Sequence, residues 1–168
     1  MAMNAILRAT AFLAILGAVA VPAAIASAEP AFTDYPAAET LQGTPVHPDY
    51  TGDAATYRTR IRQAVAAGPN AGGHYAIVPI GCGGSCTIVE MVDLRNGAML
   101  AFPIGGEDYY QLALDFRLES RLIMADWKDT SDGAFNQCIR RFYEIRDGDF
   151  VALGETRRTV DDHAPCSE

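Results

Sequence analysis

Residues 87–103, TIVEMVDLRNGAMLAFP, are two apolar runs joined at Asn96-Gly97, and they decide the fold. Asn-Gly between strand-like runs is a strong hairpin signal, because both central residues of a type I′ turn need positive φ. The expected register places Arg95 opposite Ala98. One face of the hairpin then carries Val92, Leu94 and Met99, and the other carries Val89, Met91, Phe102 and Ile104. Both faces are apolar, so the hairpin is expected to be covered on both sides.

The same pattern continues downstream. Residues 114–118 and 122–127 flank Glu119-Ser120-Arg121, and residues 139–146 and 149–153 flank Asp147-Gly148. Such strand pairs resemble the antiparallel meanders of β-propeller blades, but a propeller takes about four blades or more, for which the chain is too short. The expected fold is therefore α+β, a mainly antiparallel sheet closed in some other way. Upstream, residues 74–80 form a short apolar run in which Pro79 lacks a ladder donor, which predicts an edge strand or a bend just before the cysteine loop. Tyr57, Ile61, Ala64 and Val65 share one helical face between Asp53, a candidate N-cap, and Gly68-Pro69, a stop; they predict one amphipathic helix over residues 54–67, covering a sheet face. Residues 128–137 read as a mobile polar loop.

The first 28 residues set the compartment. Arg8 precedes an apolar run over residues 9–26 that ends in Ala26-Ser27-Ala28, a small-residue site at which a signal peptidase cleaves after Ala28. Pro22 within the run and the lack of a basic stop-transfer flank argue against a retained membrane anchor. The protein is expected to be exported, periplasmic or secreted. Residues 29–52, with Pro30, Pro36, Pro45 and Pro48, read as an extended Pro-rich leader, either lying on the domain or partly disordered, and residues 53–168 are expected to form a single domain. The whole chain carries a formal charge of −8 and Lys128 is its only lysine, which argues against nucleic acid or an anionic membrane as partner.

Four cysteines follow the signal segment, an even count that reads as two disulfides outside the cytosol. Pairing Cys82 with Cys86 and Cys138 with Cys166 is favoured, since Gly83-Gly84-Ser85 is flexible and the second bridge ties down the tail. The rival joins the Cys82/Cys86 loop to Cys138.

Gly68-Pro69-Asn70-Ala71-Gly72-Gly73-His74-Tyr75, the loop Gly81-Cys82-Gly83-Gly84-Ser85-Cys86 and the Val-Asp-Leu-Arg-Asn-Gly hairpin at 92–97 together resemble a family of small uncharacterised exported bacterial proteins. Its marks are a Pro-Asn-x-Ala-Gly-His-Tyr segment and a Gly-Cys-Gly-x-x-Cys loop. The likeness spans about residues 54–153. An aromatic is expected after Asn70 and before Gly81, where this chain has Ala71 and Ile80. The resemblance implies export and fold, and it brings no catalytic residue.

No catalytic constellation stands out. His74, Ser85 and Asp93 are weak candidates for base, nucleophile and orienter, without a Gly-x-Ser-x-Gly elbow. The glycine-rich loop lacks a phosphate-loop lysine, and its three-residue cysteine spacing is not that of a redox motif. His47, His74 and His163 share no ligand spacing, and Asp126, Asp129 and Asp132 do not fit a calcium loop, so neither metal nor cofactor is expected. Trp127, Phe135, Phe142 and Tyr143 read as core; Tyr109 and Tyr110 are the candidate ligand contacts. The expected function is an exported binding or inhibitory module for an envelope protein or cell-wall component, with a small periplasmic hydrolase using His74, Ser85 and Asp93 as the alternative.

Overall fold

The computed structural model describes residues 28–161 and 164–167, so residues 1–27, where all but the last residue of the expected signal segment falls, and His163 lie outside the described residues. Two short helical segments, α1 (Asp53–Thr56) and α2 (Arg58–Ala67), precede seven strands: β1 (Tyr75–Gly83), β2 (Cys86–Asp93), β3 (Ala98–Ala101), β4 (Tyr110–Phe116), β5 (Leu122–Asp129), β6 (Gln137–Arg146) and β7 (Asp149–Thr159). They form two antiparallel sheets, ordered β1-β2-β3 and β4-β5-β6-β7. No helix among the described residues is long and apolar enough to cross a membrane.

The chain is therefore mostly antiparallel β with a few helical turns. Sheet β1-β2-β3 is the middle layer. Ala76, Val92 and Leu94 bury against Ile61 and Val65 of α2, while Tyr75, Ile77, Met91 and Ile104 bury against Ile123, Ala125, Trp127 and Ile145 of the other sheet. The hairpin at 87–103 is thus covered on both faces.

Its register differs from the expected one. Asp93, not Arg95, lies opposite Ala98, and Val92 faces Met99. The Asp93 carboxylate is the cause: it accepts the Arg95 backbone N–H (2.9 Å) and both Nε and Nη2 of the Arg95 side chain (3.1 and 2.8 Å), while the Asp93 carbonyl accepts the Gly97 N–H (2.8 Å). An aspartate that captures the backbone two residues on widens the loop to residues 94–97. Only Gly97 of the Asn-Gly pair has positive φ, +76°. A shift of two residues keeps every side chain on its own face, so the face assignment survives. The type I′ geometry is found instead at Asp147-Gly148, where φ is +53° and +80° and Arg146 pairs with Asp149.

Three further expectations are corrected. The helix is broken at Tyr57, and Gly52 rather than Asp53 occupies the N-cap position. Tyr57, at φ −107° and ψ 15°, leaves the helical conformation and separates the first turn from the second, and neither segment has a side-chain cap. Lys128 belongs to β5, where it is buried between the backbones of Tyr110 and Cys138; the connecting loop is only residues 130–136. The last strand continues six residues past residue 153, to Thr159. Pro79 does sit in an edge strand, opposite Val89.

The leader lies along the domain. Backbone N–H groups of Ala37, Leu41 and Val46 donate to the carbonyls of Glu119, Gly73 and Leu94 (2.8, 2.8 and 2.9 Å). Its path needs two glycines. A Cβ on Gly73 would lie 1.9 Å from the Glu39 carbonyl oxygen, and one on Gly97 would lie 2.6 Å from that of His47.

Candidate functional site

Both favoured disulfides are formed, Cys82–Cys86 and Cys138–Cys166, with Cα separations of 5.1 and 5.5 Å. The first closes the β1–β2 turn into a small ring whose residues 81–85 are all exposed. Gly83 and Gly84 take positive φ, as their lack of a Cβ allows, but Ser85 also sits at φ +67°.

This tip rests on the start of β4. The Ser85 carbonyl accepts the Gln111 N–H (2.9 Å), and Gly106 pairs with Thr87. Gln111 is itself at φ +59°, and its neighbour Tyr110 stands edge-on to Phe135, ring centroids 5.3 Å apart. Phe135, at φ +53°, is 37% exposed. Ser85, Gln111 and Phe135 are therefore three of the four non-glycine residues with positive φ among the described residues, and one end of the molecule holds all three. Each such conformation costs about 1–3 kcal/mol and persists only where surrounding structure imposes it.

The two tyrosines diverge. Tyr109 packs edge-on to Trp127 (5.3 Å) at the border of the central core, whereas Tyr110 lies half-buried on the outer ledge with Phe135. Trp127, Phe142 and Tyr143 are buried, but Phe135 is not the core residue its sequence context implied.

His74 and Asp93 meet at the opposite end of β1. His74 Nε2 is 4.0 Å from Asp93 Oδ2 and has no hydrogen-bond partner, and its ring lies against that of Tyr75. Burial, reinforced by the positive charge of Arg95, holds the His74 pKa below its ordinary value despite the attraction of Asp93. Burial pushes the Asp93 carboxyl upward, but the hydrogen bonds from Arg95 outweigh it and leave the pKa below the usual carboxylate range. Asp93 is thus committed to the hairpin loop. Ser85 lies beyond Gly83, eight residues along β1 from Tyr75 and so roughly 25 Å away at about 3.3 Å per residue. The structure does not assemble His74, Ser85 and Asp93 into one site.

The sequence segments that suggested a family have structural uses. The Asn70 side chain pairs with Ile77 as a strand would, donating to its carbonyl (2.9 Å) and accepting its N–H (2.8 Å), while Gly73 lets the leader pass. His47 bonds to the Tyr50 hydroxyl (2.7 Å). Asp126 pairs with Arg140 (2.9 Å) and Asp129 with Arg157 (3.0 Å), while exposed Asp132 accepts the Ala134 N–H (2.9 Å). Among the described residues no three His, Cys, Asp or Glu side chains stand together as metal ligands would.

Sequence reasoning missed Gln111, which carries no turn signal, and treated Phe135 as core. It also gave no role to Arg95, Arg121 and Arg146, which come together beside His74 although they belong to three separate turns. Comparisons of the chain with protein-family models, with curated proteins and with solved structures give no match.

Proposed function

We propose that this protein is an exported binding module whose contact surface is the end formed by the Cys82–Cys86 ring, Tyr110 and Phe135. The observation that carries the reading is the gathering of Ser85, Gln111 and Phe135, all at positive φ, around an exposed disulfide-closed tip and an aromatic pair. Strain held at a protruding end, away from the core, serves to fix a shape before a partner arrives; preorganisation of this kind reduces the ordering cost of binding. Aromatic rings with one exposed edge offer a partner contact area at low entropy cost.

Export and removal of residues 1–28 belong to the same proposal, supported by the segment's composition and by two disulfides, which persist in oxidising compartments. So does membership of the exported bacterial family that the Asn70–Tyr75 and Gly81–Cys86 segments resemble. The partner is an envelope protein or a cell-wall component. The hydrolase reading draws no support from the site, because its nucleophile and base lie at opposite ends of a strand.

A photo-crosslinking residue at position 135 tests the surface directly. In cells exporting the protein it should yield a discrete adduct, the same residue at exposed Arg62 should not, and Tyr110→Ala should weaken the adduct without changing Tm by more than a few degrees. Equal crosslinking from positions 62 and 135, or none from 135, would overturn the proposal.

A further inference from the structure

We propose a second site, an oxyanion-binding groove formed by Arg95, Arg121, Arg146 and His74 at the opposite end of the molecule from the disulfide tip. The groove has a volume of about 290 Å³ and is shared by the 94–97 loop, the 117–121 turn, the end of β6 and the leader at Pro36 and Ala38.

Its charges are layered. Asp93 holds Arg95 through Nε and Nη2, and Glu144 holds both Arg121, through Nη1, and Arg146, through Nη2. Arg121 Nε is spent on the Pro36 carbonyl (3.1 Å). The two carboxylates are 6% and 5% exposed, whereas the arginine side chains are 55%, 34% and 54% exposed. The anions therefore lie inside and the cations outside. Each guanidinium is fixed by its inner edge, which leaves Nη1 of Arg95, Nη2 of Arg121, and Nε and Nη1 of Arg146 without a protein acceptor among the described residues. Guanidinium groups fixed in this way each keep donors for charge-assisted hydrogen bonds, and three of them together can share the oxygens of one carboxylate or phosphate. The chain as a whole is acidic, so three converging arginines are not a sample of its average surface. Asp147 at the rim, and Glu39 in the adjoining cavity, are acids that oppose an entering anion.

His74 completes the groove. Its Nε2 is the only buried side-chain nitrogen or oxygen without a hydrogen-bond partner among the described residues. The ring also lines an adjoining cavity of about 390 Å³ with Arg95, Thr40, Gln42 and Thr44, whose hydroxyl and amide groups could receive the polar body of a ligand whose anionic group sits on the arginines. The charged and titratable groups around His74 are Asp93, Arg95, Tyr75 and Glu39, with Arg121, Arg146 and Asp147 across the groove. Arg95 opposes its protonation. An oxyanion seated on the arginines would cancel that opposition, so binding and proton uptake at His74 should favour each other.

The ligand class is a small oxyanion, either free phosphate or the terminal carboxylate of a peptide, and the test separates the two. The purified, disulfide-bonded protein is titrated by NMR with inorganic phosphate, with an N-acetylated tripeptide bearing a free carboxylate, and with the same tripeptide amidated. Saturable shifts at His74 and the three arginines are expected with phosphate or the free tripeptide but not the amide, together with a higher His74 titration midpoint in the bound protein. Arg146→Gln, which leaves Glu144 paired with Arg121, should weaken binding by about tenfold or more, the loss of a charge-assisted hydrogen bond. Asp147→Asn should tighten it, and Arg62→Gln on α2 should leave it unchanged. No saturable shift with either probe, an equal response to the amide, or unaltered affinity in both Arg146→Gln and Asp147→Asn would overturn the proposal.

Discussion

Asp93 shows how much a single buried carboxylate can decide. It sets the hairpin register, orients Arg95 over the groove and lies 4.0 Å from His74 Nε2. Across the same loop, Gly97 is constrained twice, by φ +76° and by the His47 carbonyl, which would lie 2.6 Å from any Cβ. Gly97→Val should therefore destabilise the protein by about 1–3 kcal/mol or more, read from denaturant midpoints, since a β-branched residue at positive φ also pushes the leader away. An unchanged midpoint would mean that the leader does not pass over this turn. The Asn-Gly signal located the turn correctly but could not show the carboxylate that widens it, because Asp93 acts through hydrogen bonds visible only in three dimensions. For His74 the sign is fixed by the direction of its shift. A folded-state pKa below the unfolded value of about 6.5 means that the unfolded chain binds the proton more readily, so stability is complete above that pH and falls as pH drops towards the folded value. Asp93, also shifted down, adds a second loss at lower pH, below its unfolded value of about 3.9. Tm should decline on acidification from pH 7.5 to 5.5, and His74→Gln should flatten that part of the curve. An identical slope in the variant would assign the acid sensitivity elsewhere.

At the scale of elements, the two disulfides differ in what they restrain. Cys82–Cys86 closes a sequence separation of 4, and Cys138–Cys166 closes one of 28 and carries the tail back to β6. Loop-closure entropy assigns about 2 kcal/mol to the short ring and about 3.6 kcal/mol to the long one. Replacing both cysteines of a pair with serine should therefore lower stability more for Cys138/Cys166 than for Cys82/Cys86. The short-ring variant should keep its fold but lose crosslinking through position 135, because the ring supports the strained Ser85–Gln111 contact. Equal losses, or full crosslinking without the ring, would detach the disulfide from the surface it is proposed to shape. The strands themselves were largely legible, since alternation and turn residues locate β2, β3, β5 and β6 to within a few residues. The end of β7 was not, because after residue 153 its side chains are mostly polar and exposed: Glu155, Arg157 and Arg158 have the composition of a loop, yet their backbones pair with Arg141, Ile139 and Cys138. Nor was the arginine groove legible, as its members are scattered over 52 positions of sequence, from Arg95 to Arg146, and meet only because the two sheets pack.

For the whole molecule, the leader joins what the strands leave separate. Its N-terminal part reaches the second sheet, where the Ser120 hydroxyl lies 2.9 Å from the Phe32 and Tyr35 carbonyls and the Arg121 N–H donates to Tyr35 (2.8 Å). Its later part reaches the first sheet, with Leu41 and Tyr50 packed against the core under α2. Proline content alone could not distinguish a bound strap from a free linker; the deciding residues are Gly73 and Gly97, which remove the Cβ atoms in its path. A chain beginning at residue 49 would lose the backbone bonds from Ala37, Leu41, Val46 and Arg121, which at about 0.5–1.5 kcal/mol each amount to roughly 2–6 kcal/mol, in addition to the exposed apolar surface beneath Leu41. That truncation could fail to fold, so the sharper variant is Gly73→Ala, which leaves the leader sequence intact but places a Cβ 1.9 Å from the Glu39 carbonyl oxygen. Thermolysin should leave the leader of the native protein intact under conditions in which the Gly73→Ala protein is cut between residues 35 and 46, with the strands still protected. If both proteins resist equally, the strap passes elsewhere; if both are cut equally, it is not bound. The same variant should also distort the proposed anion groove, whose wall includes Pro36 and Ala38, so phosphate or peptide affinity should fall together with protection of the leader while crosslinking through position 135, at the far end of β1, is unchanged.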